Sequence, residues 1–334
     1  MLVCLALAFP SWLLGTVFPV VGGPIIAIVG GIIISAIFPR LAKLHFKNGV
    51  NFEQGIKYTS KQLLRYSVVL LGFSLNFYNV IQVGGNTLAI MLISMLLAFL
   101  VAFFGGKALK LTGNTSTLIG VGTAICGASA IAAAAPVVRA KDQDVSQSIS
   151  TIFLFNIISA LIFPAIGMLL HLSSTAFGTW AGVAITDTSS VVAAGTSWSS
   201  AMADGDAALQ IATISKLTRA LMIVPVCLVL AIYMARKHKD DQGGNFSFVR
   251  TFPWFVVAFA IAAVANTFLP IPTWVSGDLT QLGKFVIIMA MAAIGLSTNI
   301  KELFSNGIKP ILLGASCWVV LSIFALVVVL SPVL

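Results

Sequence analysis

Long runs of apolar residues, separated by short polar stretches, dominate the chain. A membrane-spanning helix needs about 20 predominantly apolar residues, and eleven runs approach that length. They cover residues 2–18, 21–38, 63–80, 86–106, 116–138, 147–170, 178–199, 208–233, 252–269, 282–300 and 311–331. The pattern therefore predicts an all-α polytopic membrane protein with about 11 transmembrane helices, and it leaves no room for a soluble domain.

Composition agrees with this prediction. Of the 334 residues, 59% are hydrophobic and only 9% are charged, and the mean hydropathy is +1.05. Soluble domains contain roughly 25% charged residues, so a soluble protein is excluded. The four cysteines lie in apolar runs without metal-like spacing, and we therefore expect neither a disulfide nor a metal site.

The basic residues are distributed unevenly between the two sides of the predicted helices. Alternate loops on one side hold Arg40, Lys43, Lys47, Lys57, Lys61, Arg65, Lys107, Lys110, Arg236, Lys237, Lys239, Arg250, Lys301 and Lys309, whereas the other loops hold Arg139, Lys141 and Lys284. Cytoplasmic loops of membrane proteins are enriched in Lys and Arg, so the first group is predicted to be cytoplasmic. The net charge of +9 then gives no reason to expect nucleic acid. We further expect both termini to lie outside the cytoplasm.

Residues 120–139 are unusual for a membrane helix. Gly120, Gly122 and Gly127 weaken its first half, because each glycine costs about 1 kcal/mol relative to alanine in a helix. Irregular backbone at membrane depth survives only where protein buries it or a wet cavity faces it, and broken helices of this kind form the midplane substrate sites of many transporters. The alternative is a Gly/Ala helix that packs closely against its neighbours.

The sequence also contains two internal echoes. Residues 72–76 (GFSLN) resemble residues 295–299 (GLSTN), in two predicted spans that run in opposite directions, as an inverted repeat requires. Residues 122–134 resemble residues 182–194 at an offset of 60. Predicted spans five and seven run in the same direction, so we favour chance agreement between two small-residue helices over the alternative of a true repeat.

Three ionisable residues are predicted to lie deep in the bilayer. Asp187 lies ~14 Å from the cytoplasmic end of its span, and Lys216 lies ~12 Å from the outer end of the next span. Both therefore approach the middle of a hydrocarbon core that is ~30 Å thick. Arg219 shares a helix face with Lys216. A charge at this depth costs at least ~2.5 kcal/mol, so these groups must pair or line a wet cavity.

Two interpretations of this cluster remain open. Asp187 could form a structural salt bridge with Arg219 or Lys216. Alternatively, the surplus positive charge forms an anion site, in which Arg219 holds oxyanion oxygens with its planar fork and Lys216 acts as a compact charge. Hydroxyls and helix dipoles at the weakened helices would complete that site. Its other predicted members are Thr123, Cys126, Gly127, Ser129, Thr186, Thr188, Ser189 and Ser190.

Four stretches that include these residues, 122–133, 180–195, 216–225 and 290–297, resemble the YeiH-like family of proposed bacterial sulfate exporters. That family is similar to the sodium/proton antiporter and bile-acid symporter superfamily. The resemblance implies a protein of the bacterial cytoplasmic (inner) membrane with inverted five-helix repeats and broken crossing helices, expected in spans five and ten. The expected division is an extra N-terminal helix at 1–20, a first repeat at 21–171 and a second repeat at 178–334.

The function predicted from these observations is secondary active transport of a small anion such as sulfate, a sulfonate or a carboxylate. Coupled H⁺ or Na⁺ is the expected driving ion, without a bound cofactor. The expected partners are the anion and the lipid bilayer, with a homodimer as an option. A cation/proton antiporter and an uncoupled channel or receptor are the alternatives. An enzyme is not expected, because no nucleophile–base or metal constellation is visible.

Overall fold

The computed structural model of the protein describes residues 1–18, 22–37, 52–237, 254–298 and 307–331, and these residues form helices joined by short turns. The first helices are α1 (Leu2–Val17) and α2 (Gly23–Ile37). A continuous helical segment follows, made of α3 (Phe52–Tyr58), a π-helical turn (Thr59–Leu63), α4 (Leu64–Leu71) and a 3₁₀ turn (Gly72–Ser74). The remaining helices are α5 (Phe77–Ala108), α6 (Gly113–Ala124), α7 (Ala128–Val137), α8 (Asp142–Leu169), α9 (Ser174–Ala184), α10 (Thr188–Met202), α11 (Ala207–Ala220), α12 (Ile223–Lys237), α13 (Trp254–Phe268), α14 (Thr273–Ser297) and α15 (Ile308–Leu330).

The prediction of an all-α membrane protein is confirmed. In the described part of the chain, α5, α8, the joined α11–α12 helix, α14 and α15 are long and apolar enough to cross a bilayer, and α1, α2 and α13 are shorter apolar helices. Two boundaries differ from those predicted. The predicted span 63–80 runs across the junction at Leu75 and Asn76, where one helix ends and α5 begins. Helix α14 begins at Thr273, well before the predicted span 282–300.

Residues 113–137 do not cross the molecule, because α7 folds back along α6. A Cβ placed on Gly122 would lie 2.8 Å from Cδ1 of Ile131, whereas an uninterrupted helix would place two such residues about 13 Å apart along its axis. At the other end of the pair, the hydroxyl of Thr115 donates to Oδ1 of Asp144 at 2.7 Å. Since Thr115 lies at the start of α6 and Asp144 follows α7, this re-entrant pair, hairpin 1, enters and leaves from the same end of the molecule.

Residues 174–202 form a second re-entrant pair, hairpin 2. Trp198, near the end of α10, donates from Nε1 to Oγ of Ser174 at 3.2 Å, and Ser174 is the first residue of α9. The Trp198 ring also stacks on Phe177, with ring centroids 4.0 Å apart. Helix α10 therefore returns to the end of the molecule from which α9 started.

The two hairpins enter from opposite ends, because only α8 lies between them in sequence and it traverses the molecule. Their tips meet near the middle, where a Cβ on Gly127 would lie 3.4 Å from Cβ of Asp187. The prediction of eleven spans is therefore wrong at 116–138 and at 178–199. The physical reason is that hydropathy records how apolar a run is but not whether the chain reverses within it.

The prediction of broken crossing helices in spans five and ten is also wrong. Span five is interrupted, but it reverses instead of crossing, and span ten is the continuous helix α14. Its Gly295 serves close packing, since a Cβ there would overlap the carbonyl oxygen of Ile28 on α2. The described helices do not test the division into repeats at 21–171 and 178–334, which stays a prediction.

The interpretation of the 60-residue echo must also be revised. Helices α6 and α9 end at Ala124 and Ala184, and the second helix of each hairpin follows Gly127 or Asp187 as its N-cap. The two hairpins thus correspond at the offset of the echo. Because they enter from opposite ends, they have the relation that an inverted repeat requires, and the structure favours a true repeat over chance. In the other echo, Asn299 lies outside the described residues.

The N-terminus lies at the basic end of the molecule. The backbone nitrogen of Met1 would be 2.7 Å from a Cβ on Gly55, beside Lys57 in α3. Because hairpin 1 folds back, Arg139 and Lys141 also lie at this end, which strengthens the charge asymmetry. Eleven spans are an odd number and place the two termini on opposite sides, so the expectation that both lie outside the cytoplasm already conflicts with the predicted count. With the basic end cytoplasmic, that expectation is wrong for the N-terminus. Helix α15 runs away from the basic end, as the prediction for the C-terminus requires.

Candidate functional site

The C-terminal ends of α6 and α9 converge on two cationic side chains of α11. The Arg219 guanidinium donates to the carbonyl oxygens of Thr123 and Ala124 in hairpin 1 and of Val183 in hairpin 2. Lys216 Nζ donates to the carbonyl oxygen of Ile185 at 2.6 Å. The exposed fraction of both cationic side chains is 0%. The two hairpin tips are therefore joined through α11.

This arrangement follows from the chemistry of helix ends. The last carbonyl groups of a helix have no partner within that helix, and together they carry about half a negative charge. Arg219 has five N–H donors in a planar fork, so one side chain can serve carbonyls from both hairpins. Lys216 lies three residues earlier on the same face of α11. These side chains thus stabilise two chain reversals that would otherwise bury unpaired carbonyls.

The predicted structural salt bridge is absent from the described part of the chain. An ion pair elsewhere joins Lys284 and Asp206 at 2.6 Å, with both side chains partly exposed. No described carboxylate lies within ion-pair distance of Lys216 or Arg219. Carbonyl groups, and not Asp187, are thus the direct partners of the buried cations.

Asp187 is the N-cap of α10. Its Oδ2 accepts hydrogen bonds from the backbone N–H of Ser189 at 2.9 Å and from the hydroxyl of Ser189. An aspartate at this position satisfies one of the free N–H groups of the first helical turn and interacts favourably with the positive end of the helix dipole. The side chain is only partly buried, so its other oxygen can face a ligand or water at the tips.

Asn156 of α8 holds the tip of hairpin 2. Its Oδ1 accepts from the Thr186 hydroxyl at 2.6 Å and from the Asp187 backbone N–H at 3.1 Å, and its Nδ2 would lie 3.5 Å from a Cβ on Gly127. Polar residues in membrane spans commonly form such interhelical hydrogen bonds. The place of Asn156 between the two tips was not predicted, because a single polar residue in a span does not indicate which neighbouring helix it faces.

The tip of hairpin 1 is bonded differently. Gly127 has φ +70° and ψ −132°, and it is the N-cap of α7 without a side-chain hydrogen bond. Such a conformation is open to glycine and strained for other residues. Ser129 donates from its hydroxyl to the carbonyl of Cys126 at 3.1 Å and lies 3.3 Å from the Cys126 sulfur. The first turn of α7 therefore presents backbone N–H groups and the hydroxyl of Ser129, an exposed residue, at the meeting point.

The other predicted site residues also lie at the tips. Thr188 and Ser190 are buried in the first turn of α10. The Thr123 hydroxyl instead donates to the Ile119 carbonyl at 2.8 Å, so Thr123 contributes its carbonyl and not its hydroxyl. The sequence analysis missed the carbonyls of Ala124, Val183 and Ile185, because a main-chain group leaves no mark on residue type. Their position just before each reversal was the available signal.

The charges at the tips do not cancel. Lys216 and Arg219 contribute two positive charges and Asp187 contributes one negative charge. Two helix C-termini and two helix N-termini meet there, and their partial charges of about half a unit each offset one another. About one positive charge therefore remains in excess, which is suited to an anion. In the described residues, no group of three or more His, Cys, Asp and Glu side chains is placed to hold a metal ion.

The fold and the site define a multi-pass α-helical membrane protein whose two re-entrant hairpins meet at a buried cationic cluster. Residues 1–314 match the model of the family described as "Conserved hypothetical protein 698", and the chain belongs to that family. A UPF0324 membrane protein of Streptococcus pyogenes serotype M6 is 45% identical, over 99% of this chain and 96% of the relative. Another, from Fusobacterium nucleatum, is 42% identical over 97% and 95% of the two chains. These relatives identify a bacterial multi-pass membrane protein, and no solved structure matches the chain.

Proposed function

We propose that the protein is a secondary active transporter that moves a small anion by alternating access. The observation that carries this proposal is the uncompensated positive charge of Lys216 and Arg219 at the meeting point of the hairpins. The resemblance to the YeiH-like family of proposed sulfate exporters suggests sulfate, a sulfonate or a related carboxylate as substrate, in the bacterial inner membrane.

The anion would bind between the tips, with different roles for the two cations. Lys216 uses one of its three donors on Ile185, so it can turn another donor toward an anion. The first turn of α7, which has no side-chain cap, adds backbone N–H groups that favour negative charge, and Ser129 adds a hydroxyl. Arg219 is committed to carbonyls of both hairpins and would act as a positioning residue.

The two hairpins provide a means of alternating access. Each enters from one end of the molecule and reaches the same central point, so movement of one hairpin would open the site toward one side of the membrane. H⁺ is the proposed coupling ion, and Asp187 is the partly buried carboxylate at the tips.

The direct test is counterflow of radiolabelled sulfate and of a labelled sulfonate in proteoliposomes. Lys216→Met removes the proposed anion-binding charge, and Lys284→Met removes one positive charge from the partly exposed ion pair with Asp206. We expect the first variant to lose at least about tenfold in rate and the second to retain the wild-type rate. Full activity of folded Lys216→Met would exclude the proposed anion site.

A cation/proton antiporter is the second candidate, and the partly buried carboxylate of Asp187 is the feature that favours it. A pH-sensitive dye inside the same proteoliposomes separates the two functions. Sodium pulses without sulfate should leave the internal pH unchanged if the protein transports anions. Sodium-driven proton movement that is indifferent to sulfate would favour the antiporter, and anion conductance without counterflow would favour a channel.

A further inference from the structure

The tips of the hairpins contain a cluster of oxygen ligands that has the composition of a cation site. Main-chain carbonyls of Thr123, Ala124, Val183 and Ile185 point to one region from two helix ends. Hard cations such as sodium are bound by carbonyl oxygens of this kind. In transporters with interrupted helices, the C-terminal ends of half-helices coordinate the coupling Na⁺.

In this protein the cluster is already filled by side chains. Three of the four carbonyls accept hydrogen bonds from Arg219 and the fourth accepts from Lys216. We propose that Arg219 and Lys216 take the place of a bound metal cation, so that the hairpins are held together without sodium and sodium does not drive the transport cycle.

The geometry makes this replacement permanent. A bound ion can leave, whereas both side chains are attached to α11 and are fully buried. Arg219 joins hairpin 1 to hairpin 2 through a single planar group, as a metal ion would by coordination. A sodium ion that approached the same carbonyls would meet two positive charges and oxygens that already accept hydrogen bonds.

The carboxylate at the tips supports the same conclusion. Metal-cation sites normally use a negative side chain in addition to carbonyls. Asp187 is the carboxylate at the tips, and its Oδ2 accepts hydrogen bonds from the first turn of its own helix. That oxygen is therefore already used as a helix cap. For transport, which rests on the proposed function, the remaining driving ions are a proton or a second anion moved in exchange.

The first test measures the purified protein in detergent without any substrate. Thermal unfolding is compared in sodium chloride, lithium chloride and choline chloride at equal ionic strength, since an ion that binds only the folded state raises its apparent stability. We expect the same melting temperature in all three salts. Specific stabilisation of the wild type by sodium or lithium would overturn the inference.

The second test exposes the carbonyl cluster. Arg219→Ser removes the guanidinium and leaves space and a hydroxyl, and we expect sodium, but not choline, to raise the melting temperature of this variant. Arg219→Lys retains a cation and should show a smaller response or none. If Arg219→Ser does not fold, Lys216→Ser, which loses one hydrogen bond, is measured in the same way. Lys284→Ser serves as the control for charge removal elsewhere. A folded variant that responds equally to sodium and choline would contradict the assignment of the cluster as a cation site.

These measurements can fail independently of the proposed function. A protein that transports no anion but whose Arg219→Ser variant gains sodium binding would disprove the transporter and keep the inference. A transporter of sulfate or sulfonate whose rate drops sharply when choline replaces sodium would keep the proposed function and disprove the inference.

Discussion

The two hairpins correspond residue for residue at their reversals, yet they are attached to α8 at opposite points. Hairpin 1 is held at its base, where Thr112 and Thr115 bond to Asp144 at 2.8 and 2.7 Å. Hairpin 2 is held at its tip, where Thr186 and the backbone of Asp187 bond to Asn156. Arg219 bonds to both tips, but only the tip of hairpin 2 is also bonded to α8.

The side-chain packing of the two hairpins also differs, and again hairpin 2 is held more tightly than hairpin 1. Hairpin 2 is closed by the stacking of Trp198 on Phe177, and its Trp180 stacks on Phe163 of α8. Hairpin 1 is closed by small residues, and Ile131 fits against Gly122. Larger buried surfaces and more bonds give higher local stability. We therefore expect the tip of hairpin 1 to open more easily than the tip of hairpin 2.

The largest expected effect comes from exchanging the two N-caps. Gly127→Asp forces a side chain into a conformation that suits glycine (φ +70°, ψ −132°), and it should lower the free energy of unfolding by up to about 3 kcal/mol. Asp187→Gly keeps an ordinary backbone conformation and loses only the cap, which costs a few tenths of a kcal/mol. Thermal unfolding in detergent measures both. Equal losses would show that the two tips are not as different as their backbones indicate.

Removing the attachment at the tip of hairpin 2 should have the next largest effect. Asn156→Ala deletes the acceptor of two hydrogen bonds and leaves a buried donor unpaired, at a cost of about 1–3 kcal/mol. Hydrogen exchange should become faster at residues 185–190 and remain unchanged at 125–130. Asn266→Ala is the matched control, because Asn266 makes one bond, to the carbonyl of Leu75 at 3.2 Å. Faster exchange in both tips would mean that Asn156 supports them jointly and that the tip of hairpin 1 also depends on α8.

The sequence was sufficient for the class of protein and for the residues at its centre, but not for the path of the chain. Asp187, Lys216 and Arg219 were identified because charges are costly at membrane depth, and the structure places all three at the hairpin tips. The reversals were missed because a hairpin of two short apolar helices has the hydropathy of one span. Arg139 and Lys141 were the available clue, since they stood as exceptions to the charge asymmetry and join the basic end once hairpin 1 folds back.

The glycines were the least informative residues in the sequence. Gly127 marks a true reversal, whereas Gly295 permits α14 to approach α2 without any break. Both roles use the same property, the absence of a Cβ, and they can be distinguished only when the neighbouring helix is known. The direct partners of Arg219 were equally hidden, since they are main-chain carbonyls.

The smallest expected effect concerns the bases of the hairpins. There we expect hairpin 1, and not hairpin 2, to be held more firmly. Thr112 caps α6 by accepting from the Thr115 N–H at 3.1 Å, and it also bonds to Asp144. Ser173 caps α9 through the Ala176 N–H at 3.2 Å in an exposed position. Loss of a cap typically costs ~1 kcal/mol. We expect Thr112→Ala to lower the melting temperature more than Ser173→Ala does, because only Thr112→Ala also loosens the attachment to α8. An equal or larger loss of stability for Ser173→Ala would show that hairpin 1 is not attached to α8 through its base.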